Sequence, residues 1–64
     1  MKFKKGDVIE RIGRENYSHA SIYATPFKVA AISPRGEYEL KQPNFYGYMD
    51  AETVDYLFIK QEAI

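Results

Sequence analysis

This 64-residue chain predicts an all-β fold, on three observations: helical periodicity is weak, short β-branched and aromatic runs sit between Gly, Pro and Asn punctuation, and aromatics are abundant. Length sets the frame for all three. A chain of 64 residues has room for one domain, expected here over residues 1–64, and buries only about 60% of the surface its unfolded form exposes. Six Tyr and four Phe supply large buried areas per residue, which is how so short a chain offsets its conformational entropy.

Five strands follow from local chemistry. The first, roughly Asp7 to Ile12 with Phe3 leading in, comes after a Lys5-Gly6 turn and stops at Gly13. Arg14 to Pro26 is polar yet carries Tyr17, Ile22 and Tyr23, and reads as a long loop pinned to the body. The second strand, Phe27 to Ser33, is bounded by Pro26 and Pro34, which cannot donate to a ladder. Pro34-Arg35-Gly36 then forms a tight turn, with proline presetting φ and glycine supplying a positive φ, so that Glu37 to Lys41 folds back as a hairpin. In that third strand Tyr38 and Leu40 point inward and the charges outward.

Gln42-Pro43-Asn44 is the next turn, leading to a fourth strand near Phe45 to Met49. Asp50 stands at an N-cap position, its carboxylate able to accept from the backbone of Glu52 or Thr53, and opens one short helical turn through Asp55. Tyr56 to Lys60 closes the chain as a fifth strand. Val29, Leu40, Val54 and Phe58 are the expected core. Val29-Ala30-Ala31-Ile32 fits alternation only with a bulge or full burial, which leaves the facing of Ile9, Ala30, Ala31 and Ile32 open.

The chain contains no cysteine, so no disulfide or thiolate cluster supports the core, and a reducing, cytoplasmic setting is expected. No apolar run approaches the roughly 20 residues that span a bilayer, and the first residues lack the apolar stretch of a signal peptide. Nine basic and nine acidic side chains cancel, which removes whole-molecule attraction to nucleic acid or anionic lipid. Their distribution is uneven, with seven basic against three acidic residues up to Gly36 and two against six thereafter. A barrel would fold the two segments together and intermix those charges.

The opening Phe3-Lys4-Lys5-Gly6-Asp7-Val8-Ile9, the middle Val29, Ile32, Gly36, Tyr38 and Leu40, and the closing Ala51, Val54, Asp55 and Phe58 together resemble the small SH3-like barrels. Among these are short barrels of bacterial, phage and prophage accessory proteins. The resemblance covers nearly the whole chain. It implies a five-stranded barrel with a long loop after the first strand, a central hairpin and one short helical turn before the last strand. The chain lacks the tryptophan and the Ala-Leu-Tyr-Asp-Tyr type opening of the peptide-binding SH3 domains of eukaryotic signalling, so Pro-rich peptides are not its expected ligand. Gly6-Asp7-Val8 and Gly13 also resemble KOW segments of ribosomal and transcription-elongation proteins, without the later glycine those segments use.

Catalysis has no candidate machinery in the sequence, and no cofactor or metal is expected. His19 is the only histidine, with no acid or thiol beside it, and belongs to a solvated loop. Glu37 and Glu39 share a strand face, which mixed charge makes ordinary soluble surface. Asn16-Tyr17-Ser18 matches a glycosylation sequon that a cytoplasmic chain would not use. Tyr17, Tyr23, Phe45, Tyr46 and Tyr48 fall in segments that an SH3-like barrel places on one side, and form the candidate partner-binding surface. The expected function is a non-enzymatic binding module, a phage, prophage or bacterial accessory protein that docks onto another protein through that loop and aromatic face. One alternative is a single-stranded nucleic-acid binder, with Lys2, Lys4, Lys5, Arg11 and Arg14 meeting phosphates beside stacked rings. Another is a structural subunit or homo-oligomer paired through a barrel edge.

Overall fold

The computed structural model describes residues 1–61. Strands β1 (Val8–Arg11), β2 (Phe27–Ile32), β3 (Glu37–Gln42), β4 (Phe45–Asp50) and β5 (Phe58–Lys60) are joined by loops and by one short helix, α1 (Ala51–Leu57). All pairings are antiparallel, in the order β4-β3-β2-β1-β5. The protein is thus a mostly β molecule built on a five-stranded sheet. The sheet is open, with β4 and β5 at its two edges. Helix α1 connects those edges and touches β3, β4 and β5.

The hairpin of β2 and β3 follows from its corner. Ser33 accepts from the Gly36 amide (3.0 Å), Glu37 accepts from the Ser33 amide (2.8 Å), and Gly36 takes φ 83°, the left-handed conformation that closes such a loop. Inward from this corner Ile32 lies opposite Tyr38 and Ala31 opposite Glu39, but Val29, not Ala30, lies opposite Leu40. The register therefore slips by one residue at Ala30. This bulge resolves the Val29-Ala30-Ala31-Ile32 ambiguity: it brings Val29 beside Leu40, where both are fully buried, and leaves Ala30 and Ala31 half-buried and Ile32 at 37% exposure.

Helix α1 is capped by Asp50, whose carboxylate accepts from the Thr53 amide at 3.2 Å. It runs two residues beyond the expected turn, because Ala51, Val54 and Leu57 recur at threes and lay one face on the core. The last strand accordingly begins at Phe58 rather than Tyr56.

Phe3, Ile9, Phe27, Val29, Tyr38, Leu40, Ala51, Val54 and Phe58 make the core. The N-terminal turn is held onto it twice. The Asp7 carboxylate accepts from the Lys4 amide (3.1 Å) and faces the Lys60 ammonium (3.6 Å), while Gly6, at φ 95°, donates its amide to the Val29 carbonyl (2.8 Å). The long loop of residues 14–26 is organised by 3-10 turns at Arg14–Asn16 and Ile22–Ala24. It is tethered by the buried Gln42, whose amide donates to the carbonyls of Ile22 (3.0 Å) and Thr25 (3.3 Å).

Candidate functional site

Alternation along β4 divides the aromatic residues. Phe45 and Met49 turn toward the core and pack against it, whereas Tyr46 and Tyr48 turn outward and are 61% and 58% exposed. Gly47 lies on the inward side, opposite Leu40, where a Cβ would stand 2.9 Å from the Phe45 ring. A side chain at this position would force the Phe45 ring to move.

The five candidate aromatics consequently form two groups. Tyr17, Tyr23 and Phe45 belong to one ladder of rings that leads into the core: Tyr17 to Tyr23 (5.4 Å), Tyr23 to Phe27 (6.3 Å) and Phe27 to Phe45 (5.8 Å, edge-on). The ladder anchors the long loop. Tyr46 and Tyr48 stand apart from it, on the outward face of the sheet.

The basic candidates are similarly dispersed. The Lys2 amide donates to Asp55, and its ammonium to the Phe58 carbonyl, at the chain's closing end. Lys4 is engaged through its backbone in the Asp7 turn. Arg11 lies over the Tyr17 ring at 5.8 Å. Arg14 is paired with Glu10 of β1 (3.1 Å) and donates to the Ala24 carbonyl (3.2 Å), so it ties the loop to the first strand. Only Lys5 faces open space beside other cations.

Those cations are Lys28 and Lys41, cross-strand partners on the outward face. With Val8 and Tyr46 they make one row across the sheet, Val8 opposite Lys28, Lys28 opposite Lys41, and Lys41 opposite Tyr46. Lys5, Lys28 and Lys41 rim a groove of about 660 Å³ whose walls are apolar, with Val8, Pro26 and Pro43 among them. Among the described residues no acidic side chain lines it. Glu37 and Glu39 occupy the other end of the same face, opposite Asp50 and Tyr48. The outward face is therefore polarised, basic toward Pro26 and Pro43 and acidic toward the Gly36 corner.

Lys28 and Lys41 were not among the candidate residues read from the sequence, and the reason is geometric. Counting back from the Gly36 corner without a bulge sets Lys28 opposite Gln42, and only the slip at Ala30 sets it opposite Lys41. The disagreement of Val29 with simple alternation was the available signal.

Among the described residues no cluster of three His, Cys, Asp or Glu side chains could hold a metal ion, and His19 is exposed in the loop. No helix there is long and apolar enough to cross a membrane. Comparison with protein-family models, with curated proteins and with solved structures found no match for this chain.

Proposed function

We propose that the chain is a non-enzymatic protein-binding module, a small SH3-like barrel left open between β4 and β5, of the kind found in bacterial, phage and prophage accessory proteins. The order of elements supports the barrel reading: a long loop after the first strand, a central hairpin, and a short helix before the last strand. The absence of cysteine fits work in the cytoplasm, that of the host if the chain is phage-encoded.

The observation that carries the binding role is the pair Tyr46 and Tyr48, both more than half exposed on one face of an edge strand. Tyrosine offers a large amphipathic area with few rotors to freeze, and side chains so exposed contribute little to the fold they sit on. The strand beneath them adds to the case. From Phe45 to Met49 it contains none of the lysines, prolines or bulges that commonly blunt a sheet edge.

The test is affinity capture from a bacterial lysate followed by a measured Kd for the recovered protein. The Tyr46→Ala, Tyr48→Ala double variant is expected to bind that protein at least about tenfold more weakly than the parent, with unchanged thermal stability. Equal affinity of the two would remove this face from the binding site.

A further inference from the structure

We infer that the groove rimmed by Lys5, Lys28 and Lys41 receives an extended acidic segment of the partner protein, with carboxylates on the lysines and an apolar side chain between them. The inference rests on the protein-binding reading and names the chemistry of the partner. It starts from an arrangement that costs stability. Like charges directly opposite each other on neighbouring strands repel, and Lys28 and Lys41 are such a pair.

The core explains why these two positions are opposite but not why both are lysine. Burial of Val29 against Leu40 forces the bulge, and the bulge sets position 28 against position 41. Both side chains point outward and are exposed, so an acid at either position would convert repulsion into attraction without touching the interior. Instead a third lysine is brought alongside by the turn that Gly6 and Asp7 hold onto β2. Among the described residues none of the three makes an ion pair. Three cations without an ion pair among the described residues, set around an apolar concavity, call for an occupant that is both anionic and apolar.

A nucleic-acid strand is the poorer fit. Bases bind by stacking on exposed aromatic faces, whereas the ring in the groove wall, Phe27, is fully buried, and the exposed Tyr46 opposite Lys41 lies outside that wall. A second copy of the chain fits no better. Among the described residues its acids sit on sheet strands, on α1, or on the turns at Asp7 and Glu15, not on a single extended segment that could enter a concavity. In such a segment side chains alternate at a spacing that lets carboxylates and an apolar residue address the rim and the floor.

The test uses a fluorescein-labelled peptide of alternating glutamate and leucine, read by anisotropy against the whole protein, with amide chemical shifts recorded on the same mixture. The acidic peptide is expected to bind, more weakly as salt rises, and to move the amides of Val8, Lys28, Ala30 and Lys41. The Lys28→Gln, Lys41→Gln double variant is expected to lose about tenfold in affinity. Lys41→Glu supplies a control that folds: placing an acid opposite Lys28 is expected to raise Tm by about 1 to 6 °C and to abolish peptide binding. Peptide binding unaffected by these exchanges, no binding at low salt, or a lowered Tm for Lys41→Glu would overturn the inference. A lysate partner that is lost with Tyr46 and Tyr48 but indifferent to the lysines would overturn it while leaving the protein-binding role standing. Tighter binding of an oligothymidylate through the same lysines would overturn both.

Discussion

The Tyr38 hydroxyl joins three parts of the chain that are distant in sequence. It donates to Asp55 of α1 at 2.6 Å and accepts from the Phe3 amide at 3.0 Å, while Asp55 also accepts from the Lys2 amide at 3.2 Å. Its ring is fully buried and lies 5.8 Å from that of Phe3. Replacement by phenylalanine keeps the packing and strands the Phe3 amide without its acceptor. Tyr38→Phe is expected to cost about 1 to 3 kcal/mol in urea unfolding. Burial pushes the hydroxyl above its ordinary value of 10.0, and the bond it donates to Asp55 pushes the same way. The unfolded chain thus releases this proton before the folded one does. The contribution is complete below pH 10 and fades as the pH climbs from there toward the folded value. Between about pH 9 and about pH 11 the parent should lose more stability than Tyr38→Phe, and equal losses would show that the hydroxyl is not coupled to folding.

The hairpin of β2 and β3 was legible because its punctuation is chemical. Pro34 is held to a narrow range of φ, Gly36 takes the positive φ that other residues rarely adopt, and together these make the corner. At φ 83° a branched side chain is strained, so Gly36→Val is expected to cost at least about 1 to 2 kcal/mol and to weaken amide protection from Ile32 to Tyr38 first. A fall in stability without that local loss would place the strain elsewhere. Because Ala51 donates its amide to the Gly36 carbonyl (3.0 Å), the same change should also loosen the start of α1. The helix and its Asp50 cap were readable for a similar reason, since capping depends on neighbours within three residues. Its extra length was not, because Leu57 is held by packing against residues far away in the chain.

Cooperativity of the whole molecule rests on few side chains. Phe27 packs edge-on against both Phe45 and Phe58, so one ring connects the first half of the sheet to its two edges. Phe58→Ala should cost about 3 to 5 kcal/mol, comparable to the entire stability expected of a domain this size, and should leave the chain unfolded at 25 °C. A folded, cooperatively melting Phe58→Ala protein would mean that this ring does not hold the core. Charge behaves differently at this level. Folding brings charges of the two halves together, as at Asp7 with Lys60, yet the outward face keeps a basic end at Lys28 and Lys41 and an acidic end at Glu37, Glu39 and Asp50.

Strand positions, the glycine corner, the helix cap and the inward residues Val29, Leu40, Val54 and Phe58 could be read along the chain, because each depends on the conformational limits or polarity of residues close together in sequence. The lysine groove, the separation of Tyr46 and Tyr48 from the ring ladder, and the Tyr38 hydroxyl contacts could not. Each depends on which residues stand opposite one another across strands, and that register is set by a bulge at Ala30 that forms so that Val29 can be buried against Leu40. Local chemistry specifies which segments extend and which turn; the shared core selects how they slide past one another, and with that slide the composition of the exposed face.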